Sequence, residues 1–222
     1  MLQKPHWRPA ALVFDMDGLM IDSERLYFAA EREMAARYGK TLRDEQLWPL
    51  MGRKPIESLR LLRGILGIDT PAEELLEWRN RLMLEKMRRE LGAMPGLAGI
   101  LQAFHGRLKL AVATGAQREF LDIALDTLRI RPYFDVLQTA DGLERGKPDP
   151  EIYLLACRGL GLPPAECVVL EDARNGVLAA KAAGCPVIAV PSDYTRGQDF
   201  AAADWIEQDL FAAARRVKTL LD

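Results

Sequence analysis

A parallel, Rossmann-like α/β sheet carrying a helical insert is the fold class this sequence predicts. Three observations predict it. Short, continuously apolar runs recur along the 222 residues, helical stretches separate them, and the stretch between the first run and the second is purely helical in pattern. Continuous apolar runs suit strands buried on both faces, and strands alternating with helices imply a parallel sheet with helices on both sides.

The first run, ALVF at 11–14, ends abruptly in Asp15-Met16-Asp17-Gly18. From about residue 23 to 94 the periodicity is helical, with helices expected over 24–38, 54–66 and 71–92. Ser23 with Glu24, and Thr70-Pro71 with Glu73 and Glu74, read as helix starts. Gly39, Gly67 and Gly92 stand where helices should stop. Further apolar runs follow at 108–115, 134–141, 167–173 and 185–191. Between them lie helical patterns over 118–128, 150–160 and 175–183. The expected division is an α/β core of residues 1–20 and 95–222, and an all-helical insert of residues 21–94.

Composition narrows the function. Thirty basic residues against 32 acidic ones leave a net charge of -2, so no basic excess points to nucleic acid. Three widely spaced cysteines, Cys157, Cys167 and Cys185, without a CxxC, argue against a disulfide framework and a zinc site. The opening residues MLQKPHWRPA lack the apolar stretch expected of a signal peptide, and no apolar run is long enough to cross a bilayer. The expectation is a cytoplasmic protein, monomeric or weakly dimeric, with neither nucleic acid nor membrane as a partner.

Four polar clusters each follow an apolar run: Asp15-Met16-Asp17-Gly18, Thr114-Gly115, Gly146-Lys147-Pro148-Asp149 and Glu171-Asp172. Right-handed crossovers bring parallel strand ends to one edge, where open α/β sheets bind ligands. The resulting inventory is rich in carboxylates, with one ammonium and one hydroxyl, and lacks His and Cys. That excludes a Ser-His-Asp triad, a thiol nucleophile and zinc at this edge. Clustered carboxylates repel one another unless positive charge sits among them, and a hard, oxygen-seeking ion such as Mg2+ fits. Asp15, at the rigid strand end, suits a nucleophile toward phosphorus. Asp17, two residues on, suits general acid and base work. Thr114 and the Gly115 N–H suit hydrogen bonding to phosphoryl oxygens. Each cluster alone has a plainer reading, as a loop, a turn, a helix entry or a cap. A calcium loop is disfavoured because Leu19-Met20-Ile21 follows Gly18. The weight lies in four clusters at strand ends, in this order.

Those residues resemble the haloacid dehalogenase superfamily across nearly the whole chain. FDMDGLMIDSE, VATGA, GKPDP and LEDARNG look like its four motifs in turn. The insert, residues 21–94, resembles the four-helix-bundle cap of the β-phosphoglucomutase-like branch. The resemblance implies Asp15 as nucleophile and Mg2+ ligand, and Asp17 as acid/base with a metal-bound backbone carbonyl. It implies Thr114 and Lys147 on the phosphoryl group, Asp172 as a metal ligand, and Glu171 near the metal shell orienting Lys147. Gly115 and Ala116, within VATGA, are expected at the substrate. Tyr27 stands where the mutases carry a cap histidine, and Pro55 where they carry an arginine, which weighs against a mutase. DMDGLMIDSERLY, with GKPDPEIYL and EDARNGV, is instead similar to pseudouridine-5′-phosphatase and related sugar- or nucleotide-phosphate phosphatases. Arg53 and Tyr27 are candidate cap contacts to substrate. Arg25 is weighed against a plain surface role, Lys86, Arg88 and Arg89 read as a solvent-facing run, and Asn175 either orders the fourth-motif loop or caps a helix. The expected activity is Mg2+-dependent hydrolysis of a small phosphorylated metabolite through a phospho-aspartate. A phosphosugar mutase and a catalytically silent binding module are the alternatives.

Overall fold

The structure is a computed structural model that describes residues 7–51 and 55–222. The chain divides into two compact units. One holds Met1–Asp22 with Gly92–Asp222, and the other is Ser23–Leu91.

The first unit is an α/β layer structure. Six strands, β1 (Ala11–Phe14), β2 (Lys109–Ala113), β3 (Val136–Gln138), β4 (Cys167–Glu171), β5 (Val187–Ala189) and β6 (Trp205–Ile206), form one sheet in the order β3-β2-β1-β4-β5-β6. Every pairing is parallel. All four residues of β1 are buried, as the central strand of a sheet covered on both faces requires. Ala11, Val13, Ala111, Ala113, Val169 and Val187 turn to one face, where they pack with Ile152, Tyr153 and Ala156 of α7 (Glu151–Leu160) and Val177 and Ala180 of α8 (Arg174–Ala183). Strand alternation sends Leu12, Phe14, Val112 and Leu170 to the opposite face. There Phe14 meets Phe134 edge to face at 6.0 Å. The same unit holds α5 (Leu97–Phe104), α6 (Arg118–Leu128) and α9 (Leu210–Leu221), with α5 packed on α9.

The register sets the site. Phe14 lies beside Val112 on one side and Leu170 on the other. The next residues outward, Asp15, Ala113 and Glu171, therefore stand side by side at the carboxyl ends of the strands. The strand order also reverses here. β1 leads to β2 on one side, whereas β4 continues on the other, and such switch points open a crevice at the carboxyl ends of the strands.

The second unit is helical: α1 (Ser23–Arg37), α2 (Asp44–Leu47), α3 (Pro55–Leu66) and α4 (Ala72–Glu90), with α1 and α3 both packed on α4. Leu26, Ala30 and Met34 repeat every four residues on α1 and are fully buried. Leu75, Leu82 and Met83 supply the α4 side of this core.

Several sequence expectations need adjustment. α2, α5, β6 and α9 lie outside the strands and helices expected from the sequence. α1 begins at Ser23 as expected, although the Ser23 hydroxyl is buried with no hydrogen-bond partner and so does not cap the helix. Thr70 does not cap α4, whose N-cap is Pro71, and its hydroxyl pairs with the Tyr38 hydroxyl at 2.8 Å. Residues around 21 and 93 lie in the α/β unit. Ile21 bridges Ala93, and the Met94 N–H donates to the Met20 carbonyl at 2.9 Å. The cysteines, far apart in sequence, are all thiols buried in one core layer, with Cys157 and Cys185 Sγ 3.7 Å apart.

Candidate active site

Lys147 sits at the middle of the strand-end cluster, on the loop that leads into α7. Its ammonium donates to Asp15 Oδ1 and Glu171 Oε1, both at 2.6 Å, and to the Ala113 carbonyl at 3.3 Å. An ammonium has three donors, and these acceptors use all of them. Asp15 is 6% exposed and Glu171 1%, so the contacts are made away from bulk water. Charge-assisted hydrogen bonds are strong under such conditions.

Glu171 is held from three directions. The Tyr153 hydroxyl donates to Oε1 at 2.6 Å, and the Ala173 N–H donates to Oε2 at 3.1 Å. Lys147 completes the set, and its Nζ lies 4.9 Å from the centre of the Tyr153 ring. Gly176 makes room for this carboxylate, because a Cβ there would overlap it. Tyr153 itself is fully buried, so both ring and hydroxyl are fixed.

Asp172 is the next residue along β4. Its Oδ2 accepts from the Ser192 hydroxyl at 3.2 Å and the Thr195 hydroxyl at 3.5 Å. Gly18, at φ +74°, lies against the same oxygen, and a Cβ there would overlap the Asp172 carboxylate. A side chain at this position would thus be opposed both by the left-handed backbone and by the lack of space.

Thr114 is fully buried just past β2. Its hydroxyl donates to Asp17 Oδ2 at 3.4 Å and accepts the Ala116 N–H at 3.0 Å. Residues from the ends of β1 and β2 thus meet, with Ala116 bracing the threonine and Gly115 exposed between them.

The electrostatics follow from three acids around one base. Burial pushes the Asp15 carboxyl up to about 8, opposed by Lys147 and reinforced by Glu171 and Asp17. Burial alone would lower Lys147, but Asp15 and Glu171 outweigh it and hold the ammonium well above its ordinary range. Burial and the adjacent Glu171 raise the Tyr153 hydroxyl, which therefore stays a donor. A single ammonium leaves this cluster short of positive charge. Asp15, Glu171 and Asp172 each offer a carboxylate oxygen within 4.8 Å of the others, the only such group among the described residues. An all-oxygen, multiply anionic donor set fits a hard divalent ion.

The structure thus brings Asp15, Asp17, Thr114, Lys147, Glu171 and Asp172 together at one sheet edge, with Gly115 and Ala116 beside Thr114. Asn175 is exposed on α8 and is not its N-cap, which is Ala173. The backbone already extends at Ala173, two residues before Asn175, so no cap position is left for it. In the helical unit the Tyr27 ring lies 5.0 Å from the Arg79 guanidinium, and Arg25 bonds the Glu90 carbonyl at 2.8 Å. Lys86 pairs with Glu33 at 2.8 Å and is mostly buried. Arg53 falls outside the described residues.

Sequence reasoning missed Tyr153, Ser192 and Thr195. The signal for the last two was present. PSDYT, at 191–195, is a polar cluster directly after the fifth apolar run, and the strand-end rule that found the other four applies to it equally. Tyr153 lies one turn into the helix that follows GKPDP, where an aromatic reads as core until its hydroxyl is placed.

Comparison with known proteins agrees with this arrangement. Residues 12–190 match the haloacid dehalogenase-like hydrolase family model. A "Phosphorylated carbohydrates phosphatase" of Thermotoga maritima is 41% identical over 179 residues, covering 78% of this chain and 81% of that protein. "Protein CbbY" of Rhodobacter capsulatus is 35% identical over 219 residues, covering 92% and 95%. Among solved structures, a CbbY variant from Rhodobacter sphaeroides in complex with xylulose-(1,5)bisphosphate superposes with a TM-score of 0.78 at 28% identity, covering 91% of this chain and 95% of that one. With the fold, the strand-end cluster and the match over most of the chain in agreement, the chain belongs to the haloacid dehalogenase-like hydrolases.

Proposed function

We propose that this phosphoric monoester hydrolase removes phosphate from a small phosphorylated sugar, with Mg2+ as cofactor and Asp15 as the covalent nucleophile. The observation that carries the reading is the Lys147 ammonium held at 2.6 Å from both Asp15 and Glu171, beside Asp172 and away from water. Relatives that act on phosphorylated carbohydrates, and a structural neighbour that binds a sugar bisphosphate, support the substrate class.

Asp15, Asp172 and the Asp17 carbonyl, with Glu171 beside them, are the groups that would hold the ion. When bound, it supplies positive charge to the phosphoryl oxygens and to the crowded carboxylates. The chain's own residues carry the reaction. A carboxylate oxygen of Asp15 forms a bond to phosphorus as the ester P–O bond breaks. Asp17 gives its proton to the departing alkoxide, then takes one from the water that attacks the acyl phosphate. That second attack releases inorganic phosphate and restores the Asp15 carboxylate. Lys147 offsets the negative charge of the phosphoryl group, and the Thr114 hydroxyl and Gly115 N–H donate to its oxygens. Tyr153 and the Ala173 N–H keep Glu171 in place, and Glu171 keeps Lys147 aimed at Asp15.

A panel of sugar and nucleoside monophosphates, assayed for phosphate release with Mg2+ and after chelation by EDTA, tests the reading. Hydrolysis of a sugar phosphate that stops on chelation and returns with Mg2+ is expected. Release that is indifferent to chelation removes the metal from the mechanism. Conversion of β-glucose 1-phosphate to glucose 6-phosphate without phosphate release would identify a mutase instead.

A further inference from the structure

Ser192 and Thr195 lie on the loop after β5, outside the four motifs, and both are 6% exposed. They form a closed unit. The Ser192 N–H donates to Thr195 Oγ1 at 2.9 Å, the two hydroxyls lie 3.1 Å apart, and the Thr195 N–H returns to the Ser192 carbonyl at 3.1 Å. The loop is also tied to the strand that carries the acids, since the Val190 N–H donates to the Glu171 carbonyl at 2.7 Å. From this anchored turn both hydroxyls reach the same atom, Asp172 Oδ2, at 3.2 and 3.5 Å. Gly18 lies against the same oxygen, so closely that a Cβ there would overlap the carboxylate.

We propose that Ser192 and Thr195 are positioning residues that hold Asp172 Oδ2 on the protein side, so that Asp172 meets a divalent ion through one oxygen, which favours Mg2+ over Ca2+. This inference rests on the metal-site reading given under Proposed function. Mg2+ demands near-ideal octahedral geometry, with each carboxylate contributing one oxygen, whereas Ca2+ accepts more ligands and readily takes both oxygens of one carboxylate. Chelation by Asp172 requires the carboxylate to rotate and Oδ2 to leave two hydroxyl donors. Hydrogen bonds to the outer oxygen of a ligating carboxylate fix its orientation and are a recognised means of tuning a metal site. The clasp imposes a cost on the bidentate mode that Ca2+ uses and none on the monodentate mode that Mg2+ uses.

The test is equilibrium binding of Mg2+ and of Ca2+ by isothermal titration calorimetry, on the full chain and without substrate. The proteins compared are the unmodified chain, S192A/T195V, T195S and D172N. Loss of the clasp in S192A/T195V is expected to weaken Mg2+ by roughly tenfold, the lower end of the effect of outer-sphere partners. Ca2+ is expected to hold or gain affinity, so the preference for Mg2+ falls by about the same factor. T195S, which keeps the hydroxyl, is expected to retain the native preference. Near-ultraviolet circular dichroism matching that of the unmodified chain ties any loss to the clasp rather than to misfolding. If S192A/T195V keeps the native ratio of the two affinities while D172N loses Mg2+, the clasp is wrong and the metal site stands. If D172N binds Mg2+ as the unmodified chain does, the metal site and the clasp are both overturned.

Discussion

Each of the two units buries a cation among carboxylates, and the two burials differ in how fully the charges are met. In the α/β unit, Lys147 spends all three donors at 2.6, 2.6 and 3.3 Å, and its partner Glu171 is saturated by Tyr153 and a backbone N–H. In the helical unit, Arg79 and Glu31 are equally buried, at 5% and 3% exposed, yet approach only to 3.8 Å. Arg79 Nε and Glu31 Oε2 have no hydrogen-bond partner. The Tyr27 ring beside the guanidinium offsets part of that deficit. A buried charge that is fully hydrogen-bonded has a fixed direction, which chemistry needs. One that is loosely met mainly costs desolvation. The difference suits the first cluster to the proposed chemistry and the second to the helical packing.

The largest expected effect breaks the first cluster. Lys147→Met leaves Asp15 and Glu171 without their common cation, and kcat should fall by about a thousandfold, the upper range for losing one preorganised electrostatic donor. Arg79→Met should instead show in thermal unfolding, as a loss of about 3 kcal/mol from an orphaned buried Glu31. If Lys147→Met keeps substantial turnover, the contrast between the two clusters collapses.

A smaller effect sharpens the contrast. Tyr153→Phe keeps the buried ring and removes only the donor to Glu171. A hydrogen bond to a charged group is worth about 1.5 kcal/mol, so kcat should drop by about tenfold with KM nearly unchanged. Steady-state kinetics on the variant decide this. An equal loss in KM alone would place the tyrosine in substrate binding rather than in holding Glu171.

A further effect is on stability and its dependence on pH. Burial pushes Glu31 from its ordinary 4.5 up to about 7, against the pull of Arg79 and Arg32. Across that window the folded chain holds the proton more tightly than the unfolded chain, so stability falls as pH rises from about 4.5 to 7 and levels off above. The full shift corresponds to at most ~3 kcal/mol. Denaturant unfolding in saturating Mg2+, which removes the parallel contribution of Asp15, should show this slope, and Glu31→Gln should flatten it.

How much of this could be read beforehand depended on the kind of signal. β1 was plain because four apolar residues end at once in charged ones, and a strand buried on both faces has no polar alternation to confuse it. The four clusters were readable as one site because parallel topology forces their ends together. α2, with four residues, and β6, with two, are too short to establish any period. The Ser192–Thr195 turn was missed for a different reason. Hydroxyls after a strand look like any loop until the register places them against an acid. The cysteines show the same limit, since positions 28 apart become neighbours only through the packing of α7 against α8.

The most direct test is to trap the phosphoryl group on the chain. Enzyme mixed with a labelled substrate from the phosphate-release panel and quenched in acid within one turnover should carry label on the peptide containing Asp15. Hydroxylamine should remove that label, as it does from acyl phosphates, and Asp15→Asn should never acquire it while remaining folded. Complete phosphate release with no labelled peptide at any quench time, together with turnover by Asp15→Asn, would contradict covalent catalysis by this carboxylate.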